Sequence, residues 1–166
     1  MRRTYRVPAR VDDVDDHVRT IFSELGAPWA TALNHAGTVE AVLNAMIHGI
    51  FRVLTGPERD PIAFLDALRA AEGEHGDEEV SITVEHSCGS DLCSIIVSDP
   101  GEGFDVDTAT KRLETIDPLS PSGRGLLLMN AAAERVTWNP SGNEVTLRFR
   151  SSPPPASNAG RTSRKP

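Results

Sequence analysis

The chain has 166 residues, a net charge of −7 and an apolar fraction of 39%. This length suits a single domain around one core. No apolar run approaches the roughly 20 residues that cross a bilayer, and no apolar signal core follows the basic start of the chain, so we expect no membrane partner and a cytoplasmic location. The acidic balance argues against direct binding to nucleic acid.

The two cysteines, Cys88 and Cys93, are separated by four residues. Without a clustered pair of histidines they make a poor zinc site. Because a disulfide is uncommon in a cytosolic protein, we predict that both are reduced thiols near a hairpin turn.

The N-terminal part of the chain predicts one strand followed by two helices. Residues Thr4–Arg10 are predicted to form a short strand, in which Pro8 ends the regular pairing. Residues Val11–Leu25 are predicted to form a helix because their apolar residues occur at helical spacing. Gly26-Ala27-Pro28 ends this first helix. A second helix is predicted from about Trp29 to Val53, with Ala36-Gly37 as a candidate break.

The segment from 51 to 79 predicts one further helix and a loop. Asp60-Pro61 opens a short amphipathic helix, Pro61–Ala71, which has proline at its first position. The acidic, glycine-containing stretch Glu72–Glu79 is predicted to be a loop.

The C-terminal half predicts two strand pairs with a long connection and a helix between them. Val80–His86 and Leu92–Ser98 alternate in polarity and form a hairpin around Ser87–Asp91. Residues 99–122 are rich in Gly, Pro, Asp and Ser, and such long connections are usually functional or mobile. The remaining predicted elements are the helix Gly125–Arg135, the strand Arg135–Asn139, the turn Pro140–Asn143 and the strand Glu144–Arg150.

This order of elements predicts the fold class. Hairpin-joined strands with segregated helices indicate an α/β two-layer sandwich with a mixed, mainly antiparallel sheet. The domain is predicted to occupy residues 1–150. We expect the tail 151–166, which is rich in proline and small polar residues, to be disordered.

A polar strip runs along the second predicted helix. Glu40, Asn44 and His48 stand at i, i+4 and i+8, so they drift by only about 80° across one face. Polar atoms beside an apolar stripe need partners. A carboxylate and an amide oxygen together can hold a hydrated Mg²⁺. The alternative is a solvated edge of the helix.

An acidic residue and two glycines follow an apolar strand. Asp99 comes directly after the strand, and its carboxylate can accept a hydrogen bond from an exocyclic amine such as that of adenine. Gly101 and Gly103 let a backbone pass close to a flat ring. The alternative is an ordinary Asp-Pro-Gly turn.

Two glycines around an arginine open the last helix. Gly123 and Gly125 leave bare N–H groups at the positive end of the helix, where phosphate binds readily. Arg124 adds a guanidinium group that can form two parallel hydrogen bonds with phosphate oxygens. The segment is not a P-loop, since G-x-x-x-x-G-K-[ST] is absent, and a flexible hinge is the alternative.

The three motifs in this order resemble the N, G1 and G2 boxes of the GHKL ATPase and kinase superfamily. The matching patterns are a helical E-x-x-x-N-A, a strand followed by D-x-G-x-G, and G-x-G opening a helix. The turn and strand Ser141–Leu147 resemble the last hairpin of that superfamily, and the resemblance covers roughly Arg6 to Arg150. The short single domain, with His48 four residues after Asn44, is similar to the anti-sigma factor serine/threonine kinases.

This resemblance implies a Bergerat-type ATP-binding fold that uses ATP and Mg²⁺. It implies that Glu40 is the general base, that Asn44 binds Mg²⁺, and that Asp99 binds the adenine amine. His48 would support Asn44 or the nucleotide. The alternative is that His48 only packs against its neighbours and has no role in binding. The residues expected to shape the base pocket or to meet the phosphates are Gly101, Gly103, Gly123, Arg124 and Gly125.

The resemblance also implies partners and leaves three functions open. The first is a protein serine/threonine kinase that binds a sigma factor and phosphorylates an antagonist protein. The second is a nucleotide-dependent regulatory binding module without kinase activity. The third is the catalytic domain of a histidine kinase or of an ATPase, although the residues before Glu40 leave too little room for a histidine kinase's dimerisation hairpin.

Two departures from the family pattern stand out. The segment 51–79 is longer than the usual link from the N-box helix to the next strand, so it is predicted to be an insertion that could cover a partner-binding surface. The ATP lid, expected at about Asp105–Pro121, is short. Anti-sigma kinases resemble one another in forming two-fold dimers, so this resemblance implies a homodimer here as well.

Overall fold

The computed structural model describes residues 1–53, 60–87, 89–107 and 124–151. These residues form five strands and four α-helices. The strands are β1 (Arg2–Pro8), β2 (Glu79–His86), β3 (Leu92–Ser98), β4 (Arg135–Trp138) and β5 (Glu144–Arg150). The helices are α1 (Val14–Leu25, after a 3-10 turn at Val11–Asp13), α2 (Ala32–Asn44, continued by a π-helical turn at Ala45–Ile50), α3 (Pro61–His75) and α4 (Arg124–Ala132).

The strands form one sheet in the order β1-β2-β3-β5-β4. All four neighbouring pairs among the described strands are antiparallel. The expected α/β fold with a mainly antiparallel sheet is therefore confirmed. The two hairpins join β2 to β3 and β4 to β5, while β1 occupies one edge of the sheet.

The core lies between one face of the sheet and the helices. Alternate residues of β2 and β3 are buried, for example Val80, Ile82 and Ile95, as the period of two in their sequences predicts. Helix α1 buries Val14, Val18, Ile21 and Phe22, which lie on one face at helical spacing.

The structure corrects the predicted break at Ala36-Gly37. Helix α2 runs through both residues, and Gly37 is buried. A Cβ atom on Gly37 would lie 2.5 Å from the Cβ of Ala132. The glycine therefore permits α2 to pack closely against α4, and it does not interrupt the helix.

The predicted loop Glu72–Glu79 is also wrong in its first part. Helix α3 continues to His75, four residues beyond the predicted end at Ala71. Leu68 and Ala71 pack against the core and extend the apolar side of the helix. The His75 imidazole lies 2.8 Å from the Glu78 carboxylate just after the helix end.

Several predictions fall outside the described residues. They are Cys88, most of the lid at 105–121, Gly123, and the tail from 152 onwards. Cys93 is a free, buried thiol, and burial raises its pKa to about 11. No helix in the described ranges is long and apolar enough to cross a membrane.

Candidate nucleotide site

Glu40 and Asn44 occupy the last turn and a half of α2. Both side chains are partly buried, and desolvation by burial raises the pKa of Glu40. Neither side chain has a hydrogen bond or an ion pair within the part of the chain that the structure describes. The two groups therefore keep their acceptor and donor atoms available to a ligand.

The start of α4 lies against this pair. A Cβ atom on Gly125 would lie 2.5 Å from Oε2 of Glu40 and 3.5 Å from Nδ2 of Asn44. With the Glu40 side chain in this position, a glycine leaves the space between the carboxylate and the helix backbone open. The fold thus brings Glu40 and Asn44 to the N-terminal end of α4, where the helix dipole and the charge of Arg124 favour anions.

His48 lies one turn further along, in the π-helical turn that continues α2. More than a third of the residue is exposed, yet partial desolvation lowers its pKa, so the imidazole is neutral at pH 7. It forms no hydrogen bond with another described residue. Its expected support of Asn44 or of a nucleotide stays a prediction.

Asp99 lies at the end of β3 and packs against Gly49 of the same π-helical turn. A Cβ atom on Gly49 would overlap the Asp99 carboxyl group. The backbone N–H of Gly101 donates to Oδ1 of Asp99 at 2.8 Å. Burial raises the pKa of Asp99, and the bond from Gly101 opposes that shift. Oδ2 has no hydrogen-bond donor among the described residues and can accept one from a ligand.

The two glycines after Asp99 differ in their surroundings. Gly101 is buried, and a Cβ atom there would lie 2.5 Å from the carbonyl oxygen of Gly49. Gly103 has a φ of 79°, and a Cβ atom there would overlap the carbonyl of Ser141. Gly101 therefore permits the close contact with the π-helical turn, and Gly103 permits a close contact with the β4–β5 hairpin.

Sequence reasoning missed three residues of this region: Gly49, Asn139 and Asn143. The side chain of Asn143 donates to the carbonyl oxygen of Gly101 at 3.1 Å, and the backbone carbonyl of Asn143 accepts from the N–H of Asp99 at 3.0 Å. For the two asparagines the sequence offered the predicted turn Pro140–Asn143 and the resemblance of Ser141–Leu147 to the last hairpin of the superfamily, but the loop that they contact lies more than 35 residues earlier. Gly49 had a signal as well, since it directly follows His48 at the end of the polar strip.

The model of the histidine kinase-like ATPase domain matches residues 63–149, which are 87 of the 166 residues. The chain belongs to the histidine kinase-like ATPase domain family. Domains of this family bind ATP.

The match covers one part of the candidate site and not the other. It begins within α3 and includes the loop after β3, the start of α4 and the β4–β5 hairpin. Glu40, Asn44 and His48 precede the matched residues. The assignment of these three residues to a nucleotide site therefore depends on their geometry and on their resemblance to the N box. No curated protein matches the chain.

The described residues fit the groups that an ATPase domain binds. The carboxylate of Glu40 and the amide oxygen of Asn44 are hard oxygen donors, and the space beside them is kept open by Gly125. Mg²⁺ suits such a sparse site because it retains several waters. No group of three or more His, Cys, Asp and Glu side chains that could hold a metal ion occurs in the described ranges. For the base, the free acceptor at Oδ2 of Asp99 matches an exocyclic amine.

Proposed function

We propose that this ATPase domain is an anti-sigma regulatory factor with protein serine/threonine kinase activity. It binds a sigma factor and transfers the γ-phosphoryl group of ATP to a hydroxyl of an antagonist protein. One observation carries the proposal. A half-buried carboxylate, Glu40, and an amide, Asn44, lie together against the glycine-opened start of α4, with no other described partner.

Glu40 is proposed to be the general base. The oxygen of the antagonist's hydroxyl attacks the γ-phosphorus, the bond from that phosphorus to the β–γ bridging oxygen breaks, and ADP leaves. The hydroxyl proton passes to Glu40. Burial raises the pKa of this carboxyl group, which brings it closer to neutral pH and makes it a stronger base than an exposed glutamate.

The phosphates are proposed to lie at the N-terminal end of α4. The helix N–H groups and Arg124 supply positive charge where negative charge develops in the transition state. Mg²⁺, when bound, neutralises phosphate charge, and Asn44 would hold it. Phosphoryl transfer depends mainly on positioning and charge neutralisation, so these few groups are sufficient.

A nucleotide-dependent binding module without kinase activity is the second candidate. Helix α3, within the predicted insertion 51–79, buries no residue completely, and Ile62 and Leu65 are 69% and 48% exposed. Exposed apolar side chains on one helix favour contact with a partner protein. In that case ATP would bind and no phosphoryl group would reach the partner.

Phosphotransfer by the wild-type chain separates the two candidates, and the Glu40→Ala variant tests the general base. We expect it to retain ATP binding within about twofold, measured as the rise in Tm with millimolar Mg-ATP. We expect phosphotransfer from radiolabelled ATP to a candidate antagonist protein to fall by about 100-fold or more, because a general base acts in the transition state. Glu74→Ala, which removes an exposed carboxylate of α3, is the control and should leave both unchanged.

Three results would count against this assignment. An unchanged melting curve of the wild-type chain with Mg-ATP would refute the nucleotide site. Labelling by Glu40→Ala at the wild-type rate would refute the general base. Binding of Mg-ATP without labelling of any antagonist tried would favour the binding module.

A further inference from the structure

The β4–β5 hairpin carries two asparagines that form one connected network. Oδ1 of Asn139 accepts from the backbone N–H groups of Gly142, Asn143 and Glu144 at 2.8 to 3.2 Å. Its Nδ2 donates to Oδ1 of Asn143 at 2.8 Å. Since Asn139 uses its oxygen for the turn, only its NH₂ group can face Asn143.

That arrangement determines which way Asn143 points its own amide. With Oδ1 occupied by Asn139, the NH₂ group of Asn143 faces the loop after β3. There it donates to the carbonyl oxygens of Gly101 at 3.1 Å and of Asp99 at 3.5 Å. The backbone carbonyl of Asn143 accepts from the N–H of Asp99 at 3.0 Å. One residue thus holds the backbone of Asp99 on both sides.

Close packing between the loop and the hairpin supports the same contact. Gly103 packs against the carbonyl of Ser141, and Gly142 packs against the backbone of Phe104, both without room for a Cβ atom. The rings of Phe104 and Trp138 meet edge to face at 6.2 Å. The hairpin therefore determines where the loop lies.

The position of the loop determines what the Asp99 carboxylate can do. The N–H of Gly101 occupies Oδ1, which leaves Oδ2 as the free acceptor. The carbonyl of Gly101 lies in the peptide group after this residue and its N–H in the peptide group before it, so Asn143 constrains the N–H through the Gly101 backbone. If the carbonyl were released, the backbone at Gly101 could shift, and its N–H would orient the carboxylate less well.

We infer that Asn143 is a positioning residue for base specificity: it holds the Asp99–Gly101 backbone so that Asp99 discriminates nucleotides that carry an exocyclic amine at C6 from those with an oxygen there. This inference rests on the proposed ATP site. Asn143 acts through Asp99 and the loop backbone, so its loss should reduce selectivity among bases more than it reduces phosphate binding.

The experiment compares the Kd of Mg-ATP and of Mg-ITP, whose base has an oxygen in place of the amine. Asn143→Asp has the same shape but no NH₂ group, so it cannot donate to the two carbonyls. We expect a wild-type preference for ATP of about tenfold, the value of one hydrogen bond. In the variant, ATP should bind about tenfold more weakly and ITP should change less than about twofold.

Two further variants make the result decisive. Asn143→Ala removes the NH₂ group without adding a charge, and it should give the same loss of preference if Asn143→Asp does not fold. Asn130→Asp is the matched control, because the Asn130 amide also donates to a backbone carbonyl, that of Leu126 at 2.9 Å, but within α4. The control should keep the wild-type preference.

Each outcome has a distinct meaning. Equal loss of ATP and ITP in both Asn143 variants, or no loss at all, overturns the positioning role while the proposed ATP site stands. A wild-type ATP preference that Asp99→Asn leaves intact overturns the assignment of Asp99 in the proposed function, and the inference fails with it.

Discussion

Two half-buried carboxylates, Glu40 and Asp99, lie in the candidate site without a cationic partner among the described ion pairs. Burial raises the pKa of both. Their ionised forms are therefore poorly solvated in the folded chain, and each destabilises the fold at neutral pH. A carboxylate kept in that condition is typical of a binding or catalytic site, where a ligand supplies the missing partner.

The Asp99→Asn variant tests this at the residue scale. Because the folded-state pKa of Asp99 is raised, the native state holds the proton more tightly than the unfolded chain, and stability falls as pH rises above the ordinary value of 3.8. An asparagine keeps the acceptor for Gly101 but carries no charge. We expect a higher Tm for the ligand-free variant at pH 7.5, with a smaller difference at pH 4.5.

The control for this prediction is Asp77→Asn, which changes a fully exposed carboxylate. Thermal melts at the two pH values should show almost no change for the control. A ligand-free Asp99→Asn that melts below the wild type at pH 7.5 would show that the carboxylate stabilises the fold, against the direction of its pKa shift.

At the scale of elements, helix α2 and its π-helical turn connect the two halves of the candidate site. The α-helical part carries Glu40 and Asn44, and the turn brings Gly49 against Asp99. π-helical turns occur frequently at functional sites because one extra residue redirects the side chains that follow. Here the turn allows one continuous element to contact both the start of α4 and the loop after β3.

The packing of α2 against α4 depends on Gly37, and a pair of identical substitutions tests it. Gly37→Ala gains helix propensity of about 1 kcal/mol but places a Cβ atom 2.5 Å from that of Ala132. Overpacking of this kind costs about 1–3 kcal/mol. Gly73→Ala in α3 gains the same propensity with no atom within 4 Å of the new Cβ.

Urea unfolding of the two variants should therefore diverge. We expect a higher midpoint for Gly73→Ala and a lower one for Gly37→Ala, with the difference between their unfolding free energies giving the overpacking cost. Equal stabilisation by both would mean that α2 and α4 move apart at no cost. That result would remove the argument that Gly37 determines their distance.

At the scale of the whole molecule, β1 occupies an edge of the sheet and exposes one side of its backbone. Edge strands invite pairing with a second chain, and a two-fold axis makes such pairing self-complementary. Arg2 and Arg6 already lie 3.3 Å from Glu85 and Glu79 of their own chain, so they do not need an acidic partner.

We therefore expect a homodimer in solution, in agreement with the resemblance to anti-sigma kinases. Light scattering on the purified chain at micromolar concentration should give about twice the 17.9 kDa mass of one chain. A mass near that of one chain, unchanged by Mg-ATP, would contradict the dimer and would favour a β1 edge that serves another partner or stays free.

The sequence by itself determined most of the architecture, because its signals are local. Alternating residues placed β3 and β5 at their observed bounds, and the apolar spacing of Val14, Val18 and Ile21 located α1. The spacing of Glu40 and Asn44 and the strand before Asp99 indicated a nucleotide site, because each of those motifs lies within a few residues of chain. The order of these short motifs along the chain also indicated the ATPase family.

Only the tertiary structure decided which separate motifs meet. The role of Gly37 depends on Ala132, that of Gly49 on Asp99, and that of Asn143 on Gly101, and these partners lie at least 40 residues apart in sequence. A glycine looks the same in sequence whether it breaks a helix or admits a neighbouring one. Its meaning depends on what occupies the space where a Cβ atom would be, and that is a property of the packed chain alone.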